Sequence, residues 1–452
     1  MEQLGGKDAP QPVPSDRRPN EGTGEGMSVP ITAPTTALGN NYRKLWVATA
    51  VSNVGDGVRE TALPLLAAAV TRDPALVAGV AFANRLPWLL FSLVSGALVD
   101  RWDRRLVMGV ANACRAAMML ALGAMVVTGN IEVPALYAVA FSLGAAETLF
   151  DNAAHAVLPS VVARDRLEHA NGRLEAAMLV GNNFLGPALG GLIFAALAAG
   201  PFLLDGVSFA LAAVLVLVMR GTFKPQRSEQ EAATSLWHDI GEGVRWLWNR
   251  TFLRTLTVMA ALINLILHAT YAIFVLFALD VLGLSEAAFG FLLVAEAVGS
   301  FLGASVASRL SGRLGTGATI VAAITLASVT NLVIGMAGNA LLVGAMLMLL
   351  SVAGVVWNIL TTSLRQSIVP DRLLGRVNSA HRFLAWGAIP LGALLGGVLG
   401  RTFGLRVPFF VAAAVLAIIG LGAAIMFARH EAAGPAAVEV PMVPAAEELS
   451  AA

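Results

Sequence analysis

Charge is scarce in this chain. Only 13% of its 452 residues are charged, against about 25% in an ordinary soluble protein, while 57% are hydrophobic and the mean hydropathy is +0.74. Long segments without charge exclude a protein that is water-exposed throughout. Cysteine is nearly absent. Cys114 stands alone in an apolar stretch, which excludes an intrachain disulfide and a cysteine-built metal cluster. Lysine is confined to Lys7, Lys44 and Lys224, none of them in a G-x-x-x-x-G-K-[ST] loop, so no phosphate-cradling nucleotide site is visible. There is no H-E-x-x-H motif, and the six histidines are scattered. Neither a metal, nor a resident cofactor, nor an enzyme is expected. The arginines are spread over loops instead of gathered in one patch, which argues against nucleic acid as a partner. The alternating ten-residue segments of an outer-membrane barrel are also missing.

What is present is a series of twelve apolar stretches, approximately 45–70, 75–99, 105–128, 133–157, 173–197, 201–219, 253–279, 286–308, 317–336, 340–363, 380–400 and 406–428. About 20 mostly apolar residues span a bilayer as a helix, and in lipid a helix satisfies its own backbone polar groups. The first 42 residues are rich in Pro, Gly and polar side chains and lack the apolar core of a signal peptide. They read as a disordered tail, as does the Ala/Pro/Glu-rich end, 429–452.

Orientation follows from the basic residues. Of the 30 lysines and arginines, only Arg72, Arg401 and Arg406 fall on one side. Arg59, Arg85 and Arg115 sit inside spans, and the remaining 24 fall on the other side. The positive-inside rule then predicts cytoplasmic termini and a cytoplasmic central loop in a cell-membrane protein. That loop, 220–252, separates a half at 43–219 from a half at 253–428. Its latter part carries Leu236, Ile240, Val244 and Leu247 at helical spacing, with Trp237, Trp246 and Trp248. An amphipathic helix is expected there, lying either on the membrane surface or on the bundle.

The halves repeat. At a constant shift of 206, Asn152 meets Asn358, Asp165-Arg166-Leu167 meets Asp371-Arg372-Leu373, Gly181 meets Gly387, Gly186 meets Gly392, and Gly190-Gly191 meets Gly396-Gly397. One unbroken offset points to two parallel six-helix halves with a site between them near mid-bilayer. The expected class is an all-α membrane protein, twelve transmembrane helices in two pseudo-symmetric six-helix bundles.

The loop Gly96-Ala-Leu98-Val-Asp100-Arg101-Trp-Asp103-Arg104-Arg105 resembles the signature between the second and third helices of the major facilitator superfamily, with Asp103 where that family usually has glycine. The stretch Phe150 to Leu174, Gly55-Asp56 with Ala62-Leu63-Pro64, and Leu204-Asp205 with Ser208-Phe209 are similar to its enterobactin-exporter-like and macrolide-efflux-like branch. The resemblance implies a charged cytoplasmic latch made of Gly96, Asp100, Arg101, Arg104 and Arg105, with Asp151 as acidic partner and Glu147 one turn deeper in latch or cavity. In the second half the matching loop, Gly303 to Arg313, keeps arginines but has no aspartate. Gly181-Asn-Asn-Phe-Leu-Gly186-Pro187-Ala-Leu-Gly190-Gly191 is similar to the GPxxGG motif of proton-antiporting exporters, which implies export. The competing reading of such glycines is close helix packing.

Ionisable groups inside a bilayer are costly and mark function by default. Asp56 and Glu60 lie four apart on the first span, with Arg59 between them, and Glu296 stands near the middle of the eighth. Each of these carboxyls is a candidate for proton coupling. For Asp56 the structural alternative is an ion pair with Arg59, Arg85 or Arg115, and for Glu296 a solvated cavity wall. Asn264, His268 and Tyr271 share one face of the seventh span, as cavity lining or as glue between helices. Asn53, Asn182 and Asn358 are weaker candidates of the same kind. Asp205 opens the sixth span, where helix capping would explain it.

These readings converge on a secondary transporter that exports amphipathic small molecules against protons by alternating access, working as a monomer in the lipid bilayer. Alternatives are a siderophore exporter using Arg59, Arg85 and Arg115, a metabolite symporter or uniporter working inward, and a non-transporting scaffold or receptor.

Overall fold

The computed structural model describes residues 39–99, 101–221, 223, 241 and 244–432. Both tails, Asp100 and most of the central loop fall outside these residues. Twelve long helices follow one another: α1 Asn40–Val70, α2 Pro74–Val99, α3 Arg104–Thr128, α4 Val133–Val161, α5 Leu167–Ala196, α6 Gly200–Leu217, α7 Thr251–Val281, α8 Glu286–Leu314, α9 Thr316–Met336, α10 Ala340–Ile368, α11 Asp371–Phe403 and α12 Val407–Ala432. Eleven are long and apolar enough to cross a membrane on composition alone. The exception, α1, carries Asp56, Arg59 and Glu60 across its middle. Every expected span corresponds to a helix. Several helices run well past the apolar stretch at the arginine-rich end: α8 continues to Leu314, α10 to Ile368, and α11 begins at Asp371. Beyond the hydrocarbon, hydropathy no longer marks helix, and charged residues continue the hydrogen-bond ladder in water.

Packing repeats the sequence symmetry. In the first half α2 lies against α4, α3 against α6, and α1 against both α5 and α6. In the second half α8 lies against α10, α9 against α12, and α7 against both α11 and α12. The most extensive contacts between the halves are α5 with α8 and α2 with α11, and α7 adds smaller ones with α1 and α2. Lipid supplies no hydrophobic drive between helices, so small residues that permit close approach decide where they meet. The outward-facing apolar side chains, Val110, Val207, Phe301 and Ile418 among them, are exposed and suit acyl chains.

The repeated glycine pairs divide their work by one residue. Gly190 sits on α1, where an added Cβ would lie 2.7 Å from the Val58 carbonyl oxygen, and Gly396 sits on Ala269 of α7; both contacts are within a half. Gly191 and Gly397 instead cross between halves. A Cβ on Gly191 would lie 2.9 Å from Gly290 Cα of α8, and one on Gly397 2.7 Å from Ala78 Cβ of α2. Both crossings lie toward the arginine-poor end. There Arg72 Nη1 also meets Asp280 Oδ1 at 2.9 Å and Arg401 Nε meets Asp73 Oδ2 at 3.4 Å. An apolar core runs across the same region, from Leu65 and Val77 to Ile273, Phe277 and Phe289. The two halves therefore close on each other at the arginine-poor face.

Between Met178 and Gly186, α5 widens into a π-helical turn, Leu179–Leu185, whose last bond runs from the Gly186 amide to the Gly181 carbonyl. The turn precedes Pro187, which has no amide to donate, and carries the Asn182 backbone against Gly57 of α1. The glycines of the antiporter-like stretch thus form close helix contacts. At the end of the central loop, Leu247 is fully buried among Leu253, Val369, Leu373 and Val377. This described end of the expected amphipathic helix packs on the bundle.

Candidate functional site

Among the described residues, three polar regions inside the bundle gather most of the expected site residues. The first is a charge cluster enclosed by α1, α3, α4 and α6. Arg59 and Arg115, each 2% exposed, both donate to Asp56 Oδ1, at 2.9 and 2.7 Å. Arg59 also reaches Asp205 Oδ2 at 3.4 Å and Glu147 Oε2 at 3.7 Å. Ser52 and Ser208 donate to Asp56 and Asp205, and the Arg115 guanidinium lies 3.9 Å from the centre of the Phe209 ring. Three carboxylates are thus held by two arginines, and the ion-pair alternative describes Asp56. Asp205 requires a correction. It is not the cap of its helix, because α6 begins at Gly200 with Ala199 as cap. It lies one turn inside, fully buried, in contact with Arg59. Gly55 makes this possible, since a Cβ there would strike the Asp205 carboxylate.

The second region is a chamber of about 570 Å³ between α2, α4 and α11, displaced toward the arginine-rich face. Trp88 and Trp386 meet edge to face with centroids 5.8 Å apart, and the Arg382 guanidinium stacks 4.4 Å over Trp386. Arg85, Glu147 and Asp151 line the same space. Glu60 approaches Arg85 only to 3.9 Å, both side chains being partly exposed. Asn152 donates to Ser95 across α2 and α4. Aromatic surface beside charges of both signs suits a large amphipathic molecule.

The third region is a cavity of about 260 Å³ within the second half, lined by Glu296, His268, Tyr271, Asn331, Phe274 and Phe409. Glu296 has no ion pair among the described residues. His268 Nδ1 lies 2.9 Å from the Asn264 carbonyl. Asn264 itself donates to the Ala385 carbonyl of α11 at 2.9 Å, so this member of the expected stripe is helix glue, whereas His268 and Tyr271 face the cavity. Asn331, Phe274, Phe409, Trp88, Trp386 and Arg382 were not among the sequence candidates. A lone amide in an apolar span, as at Asn331, is the signal that could have found one of them.

The remaining candidates scatter. Asn53 Nδ2 and Asn182 Oδ1 are buried without hydrogen-bond partners among the described residues, and Asn358 is exposed on α10. In the loop signature Asp103 caps α3, its Oδ1 accepting from the Arg105 amide at 3.0 Å, which gives the departure from glycine a structural use. Arg104 donates to the Ala156 carbonyl and Arg105 to the Met219 carbonyl, joining α3 to the ends of α4 and α6. Arg101 is exposed, and Asp100 is outside the described residues.

Comparison with known proteins agrees with this architecture. A family model described as transmembrane secretion effector matches residues 32–449. The multidrug efflux pump Tap of Mycolicibacterium fortuitum is 29% identical over 392 residues, covering 82% of this chain and 91% of that protein. Among solved structures, a mutant of the nucleoside transporter NupG superposes with a TM-score of 0.71 at 12% identity, over 86% of this chain and 100% of that one. A bacterial homologue of the iron transporter ferroportin, in its inward-facing state, gives 0.69 at 18% identity, over 85% and 98%.

Proposed function

The chain belongs to the transmembrane secretion effector family of major facilitator transporters, and from that premise we propose that it exports amphipathic small molecules in exchange for protons. It is a multi-pass membrane protein whose family members are transporters, not enzymes. The export direction rests on the likeness to multidrug efflux pumps and on the antiporter-like stretch of α5. The basic-residue bias supports an orientation with the arginine-rich face and both termini in the cytoplasm, in which the arrangement described above faces inward. The halves 43–219 and 253–428 rock about the chamber, and the loop Gly96 to Arg105, with Asp151, closes the cytoplasmic side in the opposite state.

The observation that carries the proton reading is Glu296, a carboxyl near the middle of α8 in a cavity wall, with no basic partner among the described residues. Asp56 is engaged by two arginines, so its role is to hold the first half together. Arg59 and Arg115 are engaged likewise, which leaves Arg85 and Arg382 as the basic groups that line the chamber and weakens the siderophore alternative.

The test is substrate-driven proton movement in liposomes carrying the purified protein and an internal pH dye, over a panel of drugs, dyes and siderophores. At least one amphipathic compound is expected to move protons, and Glu296→Gln to abolish that movement in folded protein. Asp56→Asn is expected to lower the yield of folded protein. Proton movement at the wild-type rate in Glu296→Gln removes Glu296 from the coupling role.

A further inference from the structure

We infer that the cavity in the second half is a binding subsite for the protonated amine of an amphipathic organic cation. The inference rests on the export reading and names its substrate class.

Three polar groups of the cavity, His268, Asn331 and Glu296, present acceptors, and the hydroxyls of Thr270, Tyr271 and Ser351 complete its polar lining. His268 Nδ1 faces a carbonyl oxygen, which can only accept, so Nδ1 carries the hydrogen and Nε2 is left with its lone pair. Asn331 is fully buried, and its amide nitrogen is spent on the Ala327 carbonyl at 2.8 Å, while its Oδ1 has no hydrogen-bond partner among the described residues. Glu296 adds a carboxylate without an ion pair among the described residues. A buried acceptor left unmade, as at Asn331 Oδ1, costs about 1–3 kcal/mol, and with the imidazole nitrogen and the carboxylate on the same space it calls for a ligand rich in N–H donors and positive charge. An anion or a neutral acceptor would leave all three unanswered.

The rest of the wall says what kind of cation. Tyr271, Phe274 and Phe409 line the same space, and aromatic faces attract organic ammonium groups. A strongly hydrated inorganic ion would gain nothing from them. Among the described residues, no three His, Cys, Asp or Glu side chains group as metal ligands. The apolar body of such a ligand would extend from this pocket toward the main chamber, where Trp88 and Trp386 offer stacking surface.

The probe is dansylcadaverine, a fluorophore on an alkyl primary amine, beside its N-acetyl analogue, which has the same body without the charge. Both are titrated by fluorescence into the full-length protein in nanodiscs. Wild type is expected to bind the amine about tenfold or more tightly than the amide, the value of one charge-assisted hydrogen bond. Glu296→Gln and, separately, Asn331→Leu are expected to erase most of that preference without changing affinity for the amide. The wild-type comparison needs no variant to fold. Equal affinity for amine and amide overturns the inference, as does displacement of the probe by micromolar Mn²⁺ but not by excess alkylamine. A protein that binds the amine in this way yet carries no compound across liposomes keeps the site and overturns the export reading. One that exports compounds while showing no preference for the amine does the reverse.

Discussion

Replacing Arg59 with methionine is expected to cost about 3–5 kcal/mol, the price of stranding a charge in a buried network, and to leave little monodisperse protein after extraction. Arg59 is 2% exposed and contacts three carboxylates on three helices: Asp56 on α1, Glu147 on α4 and Asp205 on α6. The partners do not suffer alike. Asp56 keeps Arg115 at 2.7 Å and Ser52 at 3.3 Å, and Glu147, 22% exposed, borders the chamber. Asp205 is fully buried and, among the described residues, would retain only the hydrogen bond from the Ser208 hydroxyl, at 3.2 Å. The penalty therefore concentrates on Asp205, and the double variant Arg59→Met with Asp205→Asn is expected to recover a substantial part of the loss. Arg59→Lys should fall between, because a single ammonium lacks the spread of donors that reaches several carboxylates at once. Thermal melting followed by size-exclusion fluorescence reads all three. A single Arg59→Met variant as stable as wild type would remove the cluster from the account of stability, and an unrescued double variant would move the penalty away from Asp205.

The difference between Asp56 and Asp205 marks how far the sequence alone could be read. Asp56 and Arg59 are one helical turn apart, so their pairing was legible from spacing. That Glu147 and Asp205 complete the cluster was not, because spacing along one helix does not say which other helices are its neighbours. The same limit hid the Trp88–Trp386 contact and placed Asp205 at a helix start. Long-range order was legible where the chain repeats itself: the constant shift of 206 matched Gly191 with Gly397 before either had a known partner. Those partners, Gly290 and Ala78, belong to α8 and α2, outside the repeated stretch, and only the packing reveals them. Helix ends were the least legible feature, since hydropathy reports the bilayer and α8, α10 and α11 extend beyond it.

Leucine at Gly397 is expected to give a folded protein that transports at least tenfold more slowly, whereas leucine at Gly396, one residue earlier, is expected to prevent folding. The contrast follows from which half each glycine touches. Gly396 packs on Ala269 of α7 in its own half, a contact present in every state of a rigid-body rocking mechanism, so an added side chain is never accommodated. Gly397 packs on Pro74, Ala75 and Ala78 of α2 in the other half, and that contact exists only while the arginine-poor face is closed. Overpacking costs about 1–3 kcal/mol or more. A penalty of about 2.7 kcal/mol on one state alone shifts the balance between two states about a hundredfold, enough to trap the protein open at that face. The first half carries the same arrangement. Gly191→Leu, which meets Gly290 and the Glu286 carbonyl of α8, should behave like Gly397→Leu, and Gly190→Leu, which meets Val58 and Thr61 of α1, like Gly396→Leu. With Cys114 replaced by alanine, spin labels at Asn130 and Gly338, in the α3–α4 and α9–α10 connections, read the separation of the halves at the arginine-poor face. A longer distance in Gly191→Leu and Gly397→Leu is the expected result. Unchanged distances in well-folded variants would mean that these crossings do not hold the face closed, and the two ion pairs Arg72–Asp280 and Arg401–Asp73 would then be the contacts to break.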